Sequence, residues 1–288
     1  MTPMARPQSP SVAIRRWSEG GWTPADDQVA AEEPLQLLLG GDPLSIVMRT
    51  PGNDLELALG LLWAERVITD LSQVERVRIS AEAGENSEAL PVEAVLVESN
   101  QVDVQLTASA GRRPERSFLS SSACGVCGAT TVESLALDFA VLPPGPELDP
   151  AGMPALADRL REGQALFERT GGLHAAGLFD LAGNLQLLRE DVGRHNAVDK
   201  VVGRSLLDGR LPLHRSVLAV SGRAGYELVQ KAVAAGIPFL VAVGAPSSLA
   251  VQVARAFNLT LAGFLKRDRF NVYSGGERLS SPARISAT

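Results

Sequence analysis

The two cysteines of the chain, Cys124 and Cys127, stand three positions apart in the stretch SSACGVCG. Thiolates at this spacing can bind a metal ion, form a redox-active disulfide, or carry a sulfur atom as a persulfide. Two small buried side chains would be a further interpretation, but the surrounding serines and glycines include no large apolar neighbour. The rest of the chain has to decide among these chemistries.

A metal site is disfavoured by the other possible ligands. A structural zinc site takes about four ligands, and His174, His195 and His214 do not follow the cysteines with zinc-finger spacing. Zinc deaminases place His-x-Glu ahead of their cysteine pair, whereas no histidine here is followed by glutamate two residues later. We therefore predict no metal site.

Thiol chemistry leaves two alternatives for the pair. Thioredoxin-like cysteines begin a helix directly after a strand, whereas the stretch before Cys124, RRPERSFLSSSA, is strand-like only at SFL. The other alternative is covalent sulfur or acyl chemistry by one exposed thiolate. Gly125 and Gly128 favour an open loop, and a helix beginning near Thr130 would lower the pKa of a nearby thiol through its dipole.

A second set of chemical residues follows the strands of the C-terminal half. Strand, loop and helix alternate there and predict parallel βαβ units, with the sheet covered on both faces. The loops at 221–225, 244–248 and 266–269 would then share the edge where such sheets bind ligands, and 191–196 would join them. A phosphate-bearing ligand is predicted, held by Arg223, Lys266, Arg267 and Arg269.

Several other residues carry weaker expectations. His174 is expected to be half-buried and structural, and His195 to contact a ligand or cap a helix. Glu190 and Asp191 are expected to orient Arg194. The two lysines on predicted helices, Lys200 and Lys231, are expected to face solvent.

The elements that position these residues form two groups. Residues 35–50 predict a β-hairpin, and Asn53 with Glu56 predicts a capping box at the start of the next helix. Three further strands, at 74–80, 94–99 and 102–106, complete a small α+β domain. In the second half one helix is predicted over 153–170, ended by Gly171.

Length and composition agree with two domains. The chain has 288 residues, 45% hydrophobic, and a net charge of −6, which gives no reason to expect nucleic-acid or membrane binding. The sequence lacks a signal peptide and an apolar run of membrane-spanning length, so we expect a cytoplasmic protein. The predicted division is a tail at 1–28, a small α+β domain at 29–120 and a larger α/β domain at 121–288.

Six stretches together resemble the FdhD family of formate dehydrogenase accessory proteins, in the order and spacing of that family, from residue 30 to residue 280. The resemblance implies a cytidine-deaminase-like α/β fold for the larger domain, without the deaminase zinc site, and a homodimer. The stretches are SSACGVCG, TGGLHAAGLF, REDVGRHNAVDKVVG, SGRAGYELVQKA, VGAPSSLAVQVA and LTLAGFLKRDRFNVY.

The resemblance also implies a function. Members of that family accept sulfur from a cysteine desulfurase as a persulfide on the first cysteine of the pair, which is Cys124 here. They pass it to the molybdenum (or tungsten) cofactor, bis-molybdopterin guanine dinucleotide, before its insertion into formate dehydrogenase. The family's cofactor-binding segment matches Phe264, Leu265, Lys266, Arg267, Asp268 and Arg269.

Some questions stay open. Cys127 either attacks the persulfide to release its sulfur or only packs the loop. The sequence departs from the family pattern at Gly225 and Gly244, where serine is expected. A cofactor-binding chaperone without sulfur chemistry and a thiol-disulfide oxidoreductase are the alternative functions.

Overall fold

The computed structural model describes residues 7–80, 87–95, 100–108 and 139–280. Both cysteines and the helix predicted from Thr130 fall at 109–138, outside the described residues, as does the boundary predicted between 120 and 121.

The N-terminal residues form a hairpin where a tail was predicted. Strands β1 (Ser11–Ser18) and β2 (Gly21–Gln28) pair antiparallel around a turn at Glu19–Gly20. Nearly every residue of both strands is exposed. Residues 11–28 of the predicted tail therefore form a solvated two-stranded arm, and the boundary of the tail at residue 28 stays a prediction.

A five-stranded sheet and one helix follow, as the α+β prediction required. The strands lie in the order β4-β3-β7-β5-β6, and the predicted hairpin turns through Gly40 and Gly41, both at positive φ. The elements are β3 (Glu33–Leu39), β4 (Asp42–Arg49), α1 (Asp54–Ala64), β5 (Val74–Ser80), β6 (Val92–Val95) and β7 (Gln101–Leu106).

The start of α1 differs from the predicted capping box. Asn53 adopts the left-handed conformation at φ 60° and makes no side-chain cap, because asparagine tolerates this region and the turn at Pro51–Gly52 requires it. Glu56 instead accepts two hydrogen bonds from Arg189, at 2.6 and 2.8 Å, across to the other sheet. The acidic residues of this helix start therefore serve tertiary contacts.

The larger unit is built on a six-stranded sheet in the order β13-β12-β11-β10-β8-β9. The three central strands are parallel, as predicted, while β8 and β13 run antiparallel to their neighbours and make the sheet mixed. The strands are β8 (His174–Asp180), β9 (Leu185–Asp191), β10 (Ser216–Val220), β11 (Phe239–Ala242), β12 (Thr260–Gly263) and β13 (Asn271–Ser274).

Five helices of the described part of the chain belong to this larger unit. The single helix predicted over 153–170 is two helices, because the chain turns at Gly163–Gln164 and the Glu190 carboxylate accepts from the backbone N–H groups of Leu166 and Phe167 at the second start. Gly171, at φ 65°, ends the second helix as predicted. The helices are α2 (Ala155–Glu162), α3 (Ala165–Thr170), α4 (Arg194–Leu207), α5 (Tyr226–Ala234) and α6 (Ser248–Ala256).

The two units share one hydrophobic core. Helix α1 of the first unit crosses α4 of the second so closely that a Cβ at Gly203 would lie 1.8 Å from the Glu56 carbonyl oxygen, and one at Gly60 would lie 1.9 Å from that of Asp199. The cluster around this crossing includes Leu37, Leu62, Val201, Leu218 and Leu240. A second cluster under α2, including Met153, Leu160, Phe179 and Phe239, fills the other face of the larger sheet.

Candidate ligand-binding edge

The loops after the parallel strands meet at one edge of the larger sheet, as the sequence predicts. Gly244 donates its N–H to the Gly222 carbonyl at 3.0 Å, and Ala224 donates to the Ala245 carbonyl at 3.2 Å. The next strand joins them, because Phe264 donates to the Gly244 carbonyl at 3.1 Å. Carboxyl ends of parallel strands are where sheets of this kind bind ligands. We call this row of loops the ligand edge.

Close packing explains one of the departures from the family pattern. A Cβ at Gly244 would lie 2.9 Å from the Gly222 carbonyl oxygen and 3.0 Å from the Arg223 backbone nitrogen. The loops could not keep this separation with a serine at 244. Gly225 differs, because a Cβ there meets nothing within 4 Å.

The basic turn after β12 presents its side chains to solvent. Lys266 donates its N–H to the Arg269 carbonyl at 2.9 Å, which closes the turn, and Phe264, at φ 54°, exposes its ring beside it. Leu265 is different: its side chain is buried in the core beneath α2, so only its main chain can reach a ligand. Five of the six predicted cofactor-binding residues thus expose their side chains at this edge.

The cations of this turn have only weak partners. Arg267 lies 3.0 Å from the Asp158 carboxylate, and Arg269 lies 3.6 Å from that of Asp268. Both arginines and Asp268 are more than half exposed and Asp158 is 43% exposed, so solvent screens both ion pairs. A phosphate could replace these carboxylates at little cost. That the turn binds a cofactor stays a prediction.

Asp191, at the end of β9, fixes the next loop of the edge. Its buried carboxylate accepts from the Gly193 N–H at 2.8 Å and the Asn196 amide at 2.9 Å through Oδ1. Through Oδ2 it accepts from the Thr50 N–H at 3.2 Å and pairs with Lys200 Nζ at 2.7 Å. The expectation that Asp191 orients Arg194 was wrong, and Lys200 is buried, not solvent-facing.

This network ties the ligand edge to the smaller sheet. Thr50 directly follows β4, and Lys200 also donates to its carbonyl at 3.0 Å. A buried ion pair of this kind is costly to break, because the remaining partner keeps an uncompensated charge. The start of α4 is therefore held in one position relative to both units.

A second pair of charge contacts joins α4 to α5. His195 Nε2 lies 2.8 Å from the Glu227 carboxylate at the ligand edge, and this hydrogen bond lowers the pKa of Glu227. One turn deeper, Lys231 Nζ lies 2.7 Å from Asp199. Lys231 is buried, so its predicted exposure was wrong as well. For His195 the sequence predicted either a ligand contact or a helix cap. In the structure its imidazole is hydrogen-bonded to Glu227.

His174 and Arg194 meet at the loop after β10. A Cβ at Gly222 would lie 3.3 Å from His174 Nδ1 and 3.6 Å from Arg194 Cδ, so both side chains close over this glycine. His174 is half-buried, as predicted, and burial, with the nearby charge of Arg194, lowers its pKa. Within the part of the chain that the structure describes, the buried Arg194 Nε has no hydrogen-bond partner.

The sequence did not identify Thr50 as a contact of Asp191. It also did not identify the Arg194 Nε as a buried nitrogen that has no hydrogen-bond partner among the described residues. Thr50 meets Asp191 from 141 positions away, and no spacing rule spans that separation. The stretch REDVGRHN indicated this region of the edge. It did not show which carboxylate accepts hydrogen bonds from which donor. Across the residues described, no three His, Cys, Asp or Glu side chains are grouped to hold a metal ion, and no helix is long and apolar enough to span a membrane.

Fold and site together define an α/β protein whose strand-end loops, with a basic turn among them, meet at one edge of the larger sheet. The chain belongs to the FdhD/NarQ family, which it matches over residues 30–280. It is 46% identical to the sulfur carrier protein FdhD of Streptomyces coelicolor, over 94% of this chain and 96% of that one. It is 44% identical to the protein of the same name from Anaeromyxobacter sp. strain K, over 96% and 98%.

A solved structure shares the fold along nearly the whole chain. The crystal structure of a formate dehydrogenase accessory protein from Desulfotalea psychrophila superposes with a TM-score of 0.72 at 26% identity. The match covers 95% of this chain and all of that one.

Proposed function

We propose that this chain is a cytoplasmic sulfur carrier that activates formate dehydrogenase through its molybdenum cofactor. The observation that supports this best is the similarity, across 94% of the chain, to relatives named sulfur carrier protein FdhD. The family match at 30–280 includes Cys124 and Cys127. We further propose a homodimer that works between a cysteine desulfurase and formate dehydrogenase.

In the first step Cys124 takes sulfur from the desulfurase. Its thiolate attacks the outer sulfur of the persulfide on the donor, and the sulfur–sulfur bond of the donor breaks as a new one forms. The donor cysteine leaves as a thiolate with the electron pair. Cys124 becomes a persulfide, and no external oxidant or reductant is consumed.

In the second step the sulfur reaches the metal as sulfide, which requires two electrons. The Cys127 thiolate attacks the inner sulfur of the Cys124 persulfide, the outer sulfur leaves as hydrosulfide, and the two cysteines become a disulfide. Hydrosulfide and one proton replace an oxo ligand of the metal, with release of water. A cellular dithiol reductant then restores both cysteines.

The basic turn holds the cargo during transfer. Lys266, Arg267 and Arg269 would bind the phosphates of bis-molybdopterin guanine dinucleotide in place of Asp158 and Asp268, which now occupy two of them. The exposed ring of Phe264 borders the same turn. Replacing the three cations by alanine should weaken binding of GDP, measured by calorimetry, by at least about tenfold.

Activation of formate dehydrogenase in cells lacking their own carrier tests the function. Cys124→Ala should abolish activation while the variant protein accumulates normally. Cys127→Ala should also fail to activate the enzyme, but unlike Cys124→Ala it should still gain one sulfur from the desulfurase, as the intact mass of the purified variant would show. Full activation by the Cys124 variant would contradict sulfur carriage and favour a chaperone that only binds the cofactor.

A further inference from the structure

Arg194 is a cation at the ligand edge that forms no ion pair with any of the described residues, although the Glu227 carboxylate, whose pKa is lowered first by the hydrogen bond from His195, is near enough for the charge of Arg194 to lower that pKa as well. Across the described ranges, no carboxylate oxygen lies within 4.0 Å of its guanidinium group, and its Nε is buried without a hydrogen-bond partner. Buried guanidinium nitrogens normally find an acceptor. The guanidinium group of Arg194 is therefore incompletely satisfied, and an oxyanion beside it would supply the missing counter-charge.

The carboxylates near Arg194 are already used by other donors. Asp191 accepts four hydrogen bonds, from two backbone N–H groups, Asn196 and Lys200. Glu190 accepts from the first N–H groups of α3, and Glu227 accepts from His195. The carboxylates of Asp191, Glu190 and Glu227 therefore accept hydrogen bonds from other donors, and none of them forms an ion pair with Arg194 among the described residues.

The position of Arg194 separates it from the basic turn. Its side chain packs at the end of β10, against Gly222, while the turn at 266–269 follows β12. Strand β11 lies between them, and neighbouring strands are about 4.8 Å apart, so the two places are about 10 Å apart along the edge. A ligand with two anionic ends could occupy both.

We propose that Arg194, with the His174 imidazole beside it over Gly222, forms a second oxyanion-binding subsite, distinct from the turn at 266–269. The ligand is an oxyanion, either a phosphate group or an oxometalate. A planar guanidinium suits such a group because it offers several donors in one plane. In the proposed function the cargo carries both kinds of group; the identity of the ligand rests on that function, whereas anion binding itself does not.

Calorimetric titration of the full chain with sodium molybdate and, separately, with GDP tests the subsite. Arg194→Gln should weaken binding of at least one of the two by about tenfold or more. The matched control is Arg204→Gln on the same helix, where the guanidinium already pairs with Asp208 at the far end; it should bind as the parent does. A loss confined to molybdate identifies an oxometalate subsite, and a loss of GDP affinity identifies a phosphate subsite.

Three results would overturn the proposal: a parent protein that binds neither probe, an Arg194→Gln variant that binds both as tightly as the parent, or an equal loss in the Arg204 control. Arg194→Lys keeps the positive charge without the Nε donor and should bind the anion with intermediate affinity. This variant tests the subsite if Arg194→Gln is too unstable for the titration. Cys124→Ala should bind like the parent, so failure of sulfur carriage and failure of this subsite are distinguishable.

Discussion

At the residue scale, the charged groups of the ligand edge are of two kinds. Asp191, Lys200 and Lys231 are buried and fully paired, and they fix the geometry of α4. Lys266, Arg267 and Arg269 are exposed; among the described residues Arg267 and Arg269 form only solvent-exposed ion pairs and Lys266 forms none, so a ligand could replace these partners. The buried charges thus have a structural role, whereas a binding role for the exposed ones is part of the proposed function.

His174 predicts a pH dependence of stability. Burial first, then the charges of Arg194 and His195 on α4, lower its pKa from 6.5, while Asp191 on β9 opposes them. Between the lowered value and 6.5 the unfolded chain binds the extra proton, so the free energy of unfolding falls as the pH falls through this window.

His174→Gln should remove this contribution. Urea unfolding between about pH 7 and about pH 5 should show a shallower fall in the free energy of unfolding for the variant than for the parent. Equal slopes for the two proteins would show that His174 is protonated alike in the folded and unfolded chain.

At the element scale, the crossing of α1 and α4 is the contact that joins the two units. Gly203 and Gly60 allow the helix backbones to touch, and Arg189 reaches Glu56 beside the crossing. A methyl group at either glycine would force the helices apart. It would also strain the hydrogen bond from the Thr50 N–H to the Asp191 carboxylate, which joins the two units.

Gly203→Ala should destabilise the protein by at least about 2 kcal/mol, although alanine is the better helix former, because the added Cβ would overlap the Glu56 carbonyl. Chemical denaturation measures the loss. The control is Gly152→Ala, where a Cβ meets nothing within 4 Å and the change should stay within about 0.5 kcal/mol. Similar losses in both variants would exclude the crossing as the cause.

The sequence predicts most elements of this fold, because their signals are local. The alternating and apolar runs of β3, β5 and β10 and the glycine that ends α3 were correctly placed. Several errors concern partners distant in the chain: Glu56 pairs with Arg189 from 133 positions away, and Asp191 accepts from Thr50 from 141 positions away. At the site, the order of the strands in the sequence is enough to predict that their loops share an edge. That Arg194 forms no ion pair with the described residues can be seen only in the tertiary structure.

At the scale of the whole molecule, the shared core predicts that both units unfold together. Trp63 on α1 donates its indole N–H to the Ala234 carbonyl at the end of α5, at 2.8 Å, so it reports on the contact between units. Trp17 and Trp22 lie exposed on the N-terminal hairpin.

In a Trp17→Phe, Trp22→Phe variant, only Trp63 fluoresces as tryptophan. Urea transitions followed by its fluorescence and by far-ultraviolet circular dichroism should coincide. The parent protein supplies the control midpoint, because the two exposed residues contribute little to the core. A fluorescence change that precedes the loss of secondary structure would show two independently stable units.

The proposed sulfur transfer has one direct test. The purified full chain is incubated with a cysteine desulfurase and cysteine, and its intact mass and peptide map are measured without reductant. Our account predicts one added sulfur, located on Cys124, and none on a Cys124→Ala variant under the same conditions. An unmodified Cys124 in the presence of a competent desulfurase would contradict the account.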